Sequence, residues 1–150
     1  MIFVLLTLTV VVNGQRFSLD GDWSFAPLAA DGAPSAAAQT VTLPHNATPL
    51  SFRNWQPSSW EQRFRYNKTF DRPADTSAPG TRFVLEFEGA MTAAEVTFNG
   101  FAFPAHVGGY LPFSFELPAD RVRATNNALE VIVDGRYLNV PPNMAGDGKN

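Results

Sequence analysis

Cysteine is absent from the 150 residues of this chain. Disulfides, thiol nucleophiles and thiolate metal sites all require cysteine, so none of these chemistries is available to it. Histidine is scarce as well, because His45 and His106 are the only two and neither has a carboxylate at a spacing suited to sharing a metal ion. The sequence therefore predicts no metal site and no cofactor.

Basic charge and long hydrophobic runs are also lacking. Lys and Arg number 11 against 14 Asp and Glu, which gives a net charge of -3 without any basic cluster. A surface that binds nucleic acid needs concentrated positive charge, so nucleic acid is excluded as a partner. The longest apolar run, residues 2–12, is shorter than the roughly 20 residues that span a bilayer, so no membrane span is expected.

That apolar run lies at the amino terminus and predicts a signal peptide over residues 1–14. Val12 and Gly14 flank Asn13 in a pattern of small residues typical of a cleavage site. The basic residues that usually precede the apolar run are missing, so a buried first strand is the alternative interpretation. The signal peptide would place the protein outside the cell, or in the periplasm of a bacterium.

Aromatic, proline and glycine residues are plentiful. The chain contains 13 Phe, 12 Pro and 11 Gly, a composition typical of many short strands joined by turns. Residues 15–140 are expected to form one all-β domain, a β-sandwich, and residues 141–150 read as the start of a linker to a further domain. A domain of this length can bury a substantial core without disulfides.

The segment around Asn99 and Gly100 is the centre of the predicted fold. Asn-Gly tolerates the two positive φ angles of a type I′ hairpin turn, so the chain is expected to reverse here. Gly108 and Gly109 supply a second flexible point, after which residues 111–117 alternate apolar and polar side chains.

The same period of two predicts further strands at residues 60–70, 81–87 and 128–134. Alternation of this kind directs one row of side chains into the core. The predicted inward residues are Phe83, Leu85, Phe87, Val96, Phe98, Leu111, Phe113, Phe115, Leu129, Val131 and Val133.

Glu86 and Glu88 lie on one face of a predicted strand and could be mistaken for a hydrolytic acid/base pair. No apolar residue is placed to raise the pKa of one above the other, so a solvated face is the favoured interpretation. The chain also lacks a Gly-x-Ser-x-Gly elbow and a phosphate-binding glycine loop. No catalytic residue is predicted.

Two Asn-x-Thr sequences begin at Asn46 and Asn67 and are candidate glycosylation sites if the host glycosylates secreted proteins. The loop over residues 47–59 carries Trp55, with Trp60 just beyond. Aromatic rings in such a loop suit stacking on sugars, although rings that cap the end of the sandwich would have the same composition.

Residues 16–143 resemble the N-terminal sugar-binding domain of glycoside hydrolase family 2. The resemblance rests on the order and spacing of seven segments: 19–25 (LDGDWSF), 43–46 (LPHN), 66–70 (YNKTF), 87–90 (FEGA), 96–100 (VTFNG), 106–115 (HVGGYLPFSF) and 129–134 (LEVIVD). The family includes β-galactosidases, β-glucuronidases and β-mannosidases, and the resemblance implies a jelly-roll sandwich of the galactose-binding type.

The resemblance also implies where the chemistry takes place. In this family an acid/base and a nucleophilic glutamate, about 5 Å apart as retention requires, belong to a separate (β/α)8 barrel downstream. In some members a loop of the sandwich domain reaches the substrate. Its equivalent follows Val133, which makes Arg136, Asn143 and Asp147 candidate substrate contacts, while a solvated linker is the alternative.

Two hypotheses follow. The first is that the chain is the non-catalytic domain of a secreted β-galactosidase-like enzyme, with a β-glycoside as substrate and its own downstream barrel as partner. The second is a free-standing secreted carbohydrate-binding module, in which Trp55, Trp60 and Tyr137 would form the platform for the ligand.

Overall fold

The computed structural model describes residues 8–12, 14–48, 61–74, 76 and 78–136. This part of the chain folds into two antiparallel β-sheets, which confirms the predicted all-β sandwich of jelly-roll type. The strands are β1 (Leu8–Val12), β2 (Gln15–Ser18), β3 (Trp23–Leu28), β4 (Gln39–Val41), β5 (Arg63–Phe70), β6 (Phe83–Phe87), β7 (Ala93–Phe98), β8 (Phe101–Ala102), β9 (His106–Val107), β10 (Phe113–Glu116) and β11 (Asn127–Asp134). A short 3-10 helix covers Ala119–Arg121.

Strand β11 lies in the middle of the larger sheet, whose order is β4-β3-β5-β11-β7-β8, with β9 also paired to β7. It is antiparallel to both neighbours, and its register matches Val131 with Tyr66 of β5 on one side and Val96 of β7 on the other. The smaller sheet has the order β10-β6-β1-β2. Strand β8 is an edge of the larger sheet and β10 is an edge of the smaller one, and Phe103, just after β8, stacks on Phe115 of β10.

The core between the sheets follows the predicted alternation. Strands β5, β6 and β11 bury alternate residues, with Leu85 and Val131 fully enclosed. The prediction was wrong for Leu111, whose side chain is 68% exposed because β10 begins only at Phe113. Phe113 and Phe115 are half-buried and pack against the core from β10, an edge strand of the smaller sheet.

The predicted hairpin turn is confirmed. Asn99 and Gly100 have φ angles of 45° and 79°, and Phe98 pairs directly with Phe101 across them. A type I′ turn requires positive φ at both central positions, which is why Asn and Gly stand there.

The side chain of Asn127, at the start of β11, is completely buried and joins three segments of the chain. Its amide nitrogen donates to the carbonyl oxygens of Phe70 and Arg123, at 3.2 and 2.9 Å. Its amide oxygen accepts from the backbone N–H of Arg123 at 2.8 Å and from the side chain of Asn99 at 3.0 Å. Asn99 in turn accepts a hydrogen bond from the backbone N–H of Ala128 at 2.8 Å, so the hairpin turn is anchored to the central strand.

Strand β1 falls within the segment for which a signal peptide is predicted. It lies between β2 and β6, with Val10 opposite Phe17 on one side and Leu85 on the other. The predicted boundaries at residues 14 and 140 stay predictions.

Replacement of Asn127 by Ala should lower the free energy of unfolding by about 2–4 kcal/mol, because it leaves the buried hydrogen-bonding partners of this amide unsatisfied. The matched control is Asn67→Ala, which removes an exposed amide from the outer face of β5 and should cost less than about 0.5 kcal/mol. Denaturation in urea measures both. Equal effects of the two substitutions would contradict the role assigned to Asn127.

Candidate functional site

The carboxyl end of β11 carries the ion pair with the most buried carboxylate among the described residues. Asp134 is only 7% exposed, although it is charged. Arg136 donates two hydrogen bonds to its carboxylate: Nε lies 2.9 Å from Oδ1 and Nη2 lies 2.6 Å from Oδ2. The backbone N–H of Arg136 also donates to Oδ1 at 3.0 Å. A bidentate pair of this kind fixes the orientation of the guanidinium group.

The electrostatics of this end favour the charged form of the arginine. Hydrogen bonds to Asp134, the negative charge of that carboxylate and, more weakly, the charge of Glu95 raise the pKa of Arg136 above its ordinary value. Glu95 is itself paired with Arg63, whose Nη2 lies 2.9 and 3.0 Å from its two carboxylate oxygens. Arg63 lies opposite Asp134 in the sheet, so charges of both signs gather where β11 ends.

Thr92 connects Asp134, at the end of β11, to the loop that contains Gly108. Its backbone N–H and its hydroxyl both donate to the carbonyl oxygen of Asp134, at 2.9 and 2.8 Å. Its own carbonyl oxygen accepts from the N–H of Gly108 at 2.9 Å. Residues 107–111, which are the last residue of β9 and the loop that follows it, therefore lie beside the end of β11; we call them loop 107–111.

Loop 107–111 is held by packing rather than left flexible as its glycine pair suggested. The backbone at Gly109 lies against Met91, and a Cβ atom at this position would approach Cγ of Met91 to 2.7 Å. His106, just before the loop, stacks on Phe113 with 3.9 Å between ring centroids. The position at Gly109 thus requires glycine for close approach.

A groove of about 400 Å³ opens at the same end of the sandwich. Its lining includes Phe25, His45 and Phe64, and Phe64 lies opposite Val133, near the end of β11. Thr48 and Gln62, which precede and follow the segment that holds Trp55, line it as well. The groove, the charged pair and loop 107–111 are therefore grouped at what we call the Asp134 end of the domain.

His45 is a constrained polar group of the groove. Its Nδ1 lies 3.0 Å from the hydroxyl of Tyr66, and its ring meets the edge of Phe25 at a centroid distance of 4.7 Å. Burial lowers the pKa of His45 and raises the pKa of Tyr66. Both groups are therefore predominantly neutral at pH 7, and the hydrogen bond between them fixes the position of the imidazole at the groove.

Some of the predicted site residues lie in the described part of the chain and others lie outside it. Arg136 lies at the Asp134 end with its guanidinium group exposed to solvent. Trp55, Asn143 and Asp147 lie outside the described residues, as do Trp60 and Tyr137. Asn46 and Asn67, the two glycosylation candidates, both have exposed side chains.

Glu86 takes part in an ion pair with Arg16 at 2.6 Å, and Glu88 is exposed, in line with a solvated strand face.

In the parts of the chain that the structure describes, there is no group of three or more His, Asp or Glu side chains arranged to hold a metal ion. None of the described helical segments has the length and apolar character needed to cross a membrane.

Sequence reasoning missed Asp134, Thr92 and the pairing of His45 with Tyr66. Asp134 and Arg136 have opposite charges and lie two positions apart at the end of a strand. This spacing places two side chains on the same face, so it was a local indication of their ion pair. The contacts of Thr92 and His45 join residues distant in sequence, and no local pattern reports them.

The fold defines a class of protein, the antiparallel β-sandwich of jelly-roll type. A β-galactosidase of Thermoanaerobacter pseudethanolicus is 30% identical in an alignment over 107 residues that covers 69% of this chain and 14% of that enzyme. The structure of a putative β-galactosidase from Bacteroides fragilis matches with a TM-score of 0.66 and 27% identity over 87% of this chain and 19% of the other. A Bifidobacterium dentium β-glucuronidase matches with a TM-score of 0.60 and 30% identity over 84% and 20%.

These similarities confirm the resemblance to a domain of the family 2 glycoside hydrolases. No family model matches the sequence. The chain spans 14% of the length of its curated relative and about a fifth of the two solved structures.

Stability of the domain should fall as the pH is lowered through the titration of His45. Burial lowers the pKa of His45 from 6.5, so the unfolded chain binds more protons than the folded one between the folded-state pKa and about 6.5. The stability that neutral His45 contributes is fully present above about pH 6.5 and is lost as the pH falls through its folded-state pKa. Replacement by Gln should flatten the dependence of the free energy of unfolding on pH, measured between about pH 5 and 8.

The other histidine provides the control. His106→Gln should leave the contribution of His45 to the pH dependence intact. A profile that is unchanged by His45→Gln and flattened by His106→Gln would contradict the assignment.

Proposed function

We propose that this chain is the non-catalytic sandwich domain of a secreted family 2 β-glycosidase. The other domains of that enzyme would hydrolyse a terminal β-linked sugar with retention, the substrate being a β-galactoside or a related β-glycoside. The observation that carries the proposal is the coverage of the matches: similarity extends over most of this chain and over only a seventh to a fifth of enzymes named as β-galactosidase and β-glucuronidase.

The Asp134 end is the part of the domain that we propose faces the substrate and the catalytic barrel. Its ion pair uses Nε and Nη2 of Arg136, so Nη1 is placed to donate to a sugar hydroxyl or carboxylate. Asp134 is buried and holds the guanidinium group in a fixed orientation, which lowers the entropic cost of that contact. Asn143, Asp147 and Trp55 are proposed as further substrate contacts. Thr48 and Gln62, which precede and follow the segment of Trp55, line the groove at this end.

The proposal includes the domain boundaries. Residues 1–14 would be removed as a signal peptide, residues 15–140 would form the sandwich and residues 141–150 would begin the linker. Asn46 and Asn67 are proposed as glycan acceptors in a host that glycosylates secreted proteins, and both side chains are exposed.

Hydrolysis tests the function directly. The complete product of the reading frame should hydrolyse at least one of p-nitrophenyl β-galactoside and p-nitrophenyl β-glucuronide, whereas the purified 150-residue chain should hydrolyse neither. Hydrolysis by the 150-residue chain alone would contradict the non-catalytic role. A complete product of 150 residues that binds glycans without hydrolysing them would establish the carbohydrate-binding module instead.

The mature amino terminus tests the boundary at residue 14. Mass spectrometry of the secreted protein should find Gln15 as its first residue. A mature protein that retains Leu8–Val12 would show instead that β1 is a permanent strand of the smaller sheet.

Replacement of Arg136 by Ala in the complete enzyme should lower kcat/KM by about 10- to 100-fold, the loss expected for one hydrogen bond from a charged donor. Arg136→Lys should recover little of the activity, because an ammonium group cannot reproduce the bidentate pair with Asp134. The control is Arg123→Ala, an exposed arginine near Asn127 at the opposite end of β11. Equal activity of the Arg136 and Arg123 variants would refute a substrate contact by Arg136.

A further inference from the structure

Three large apolar side chains of loop 107–111 point into solvent. Val107, Tyr110 and Leu111 are 63%, 79% and 68% exposed, and we call these three residues the apolar ridge. Single exposed apolar residues are common on protein surfaces. Three large ones within five positions form a patch of the kind that is typical of interaction surfaces.

The ridge is presented on a rigid support. Its loop is tied to the larger sheet by the hydrogen bond from Gly108 to Thr92 and by the close contact of Gly109 with Met91. The Nε2 atom of His106 lies 3.0 Å from the carbonyl oxygen of Gly108, and the ring stacks on Phe113. A loop ordered in this way loses little conformational entropy when a partner covers it, so its exposed side chains suit a docking surface.

The position of the ridge indicates which partner covers it. Thr92 hydrogen-bonds both Gly108 of the loop and Asp134 at the end of β11. The end of β11 therefore lies beside the ridge, and residues 137–150 follow it in the sequence. The relatives are five to seven times as long as this chain's matched part, since that part covers only 14–20% of each.

We propose that the apolar ridge is the docking surface for the domain that follows this one in the same polypeptide. The inference rests on the proposed function, because it requires a downstream domain. The ridge would form the apolar centre of the contact, while the charged groups at the end of β11, Arg63, Glu95 and Arg136, would form its polar rim.

Cysteine labelling tests the proposal, and the absence of native cysteine from this chain makes the labelled peptide unambiguous. Leu111→Cys places a thiol on the ridge without disturbing the core. Ala102→Cys is the matched control, an exposed position on the edge strand β8 near the other end of β7. The rate of reaction with a maleimide is followed by mass spectrometry of the labelled peptide, in the 150-residue chain and in the complete gene product.

In the 150-residue chain, the thiol of the Leu111→Cys variant should react as fast as the control thiol. In the complete product it should react at least about tenfold more slowly, while the reaction of the control is unchanged. Equal reaction of both thiols in a complete product that has a downstream domain would overturn the inference and leave the proposed function standing. Protection in the 150-residue chain itself would also overturn it, because residues 137–150 or a second copy would then cover the ridge. A complete product of 150 residues, recognised by its intact mass, would overturn the proposed function together with the inference.

A second substitution separates docking from local stability. Leu111→Asp should leave the thermal unfolding of the 150-residue chain unchanged, because the side chain is exposed, but should lower the unfolding temperature of the complete product. No loss in the complete product would count against the ridge as an interface.

Discussion

Strand β11 is the constraint on which the rest of the sandwich depends. It pairs along its whole length with β5 and along most of its length with β7, and its inward side chains fill the centre of the core. Both of its ends carry a buried polar residue, Asn127 at the start and Asp134 at the finish. A buried polar group is tolerated only when its hydrogen bonds are made, so each end fixes the segments that supply its partners.

The two ends use this requirement differently. Asn127 is neutral and its contacts are directed inward, to the hairpin turn and to the loop before β11, so the structure assigns it to stability. Asp134 is charged and its side chain holds an exposed arginine, while its carbonyl oxygen holds Thr92 and with it the loop of the apolar ridge. The Asn127 end therefore stabilises the domain, whereas the Asp134 end exposes the cationic side chain of Arg136 and the apolar ridge.

Prediction from the sequence succeeded where the determinants are local. Alternation in β5, β6 and β11 and the Asn99–Gly100 turn depend on the strand period and on backbone sterics, and both were confirmed. It failed at Leu111, because a run of alternating residues does not show where an edge strand begins. The candidate site was only partly predictable: the resemblance singled out Arg136, whose role in binding stays a prediction, whereas the contacts of Thr92 and His45 are with neighbours distant in sequence. Gly109 looked like a point of flexibility and is instead a point of close packing against Met91.

Hydrogen exchange measured in the 150-residue chain and in the complete gene product tests most directly whether the Asp134 end is the face that the proposed downstream domain covers. The account predicts that the added residues slow exchange in the segments around Thr92, in loop 107–111 and at residues 134–136. It predicts no added protection in the turn at Asn99 and Gly100 or around Arg123 and Asn127. Added protection confined to the Asn127 end, or none at either end in a product that contains a downstream domain, would contradict it.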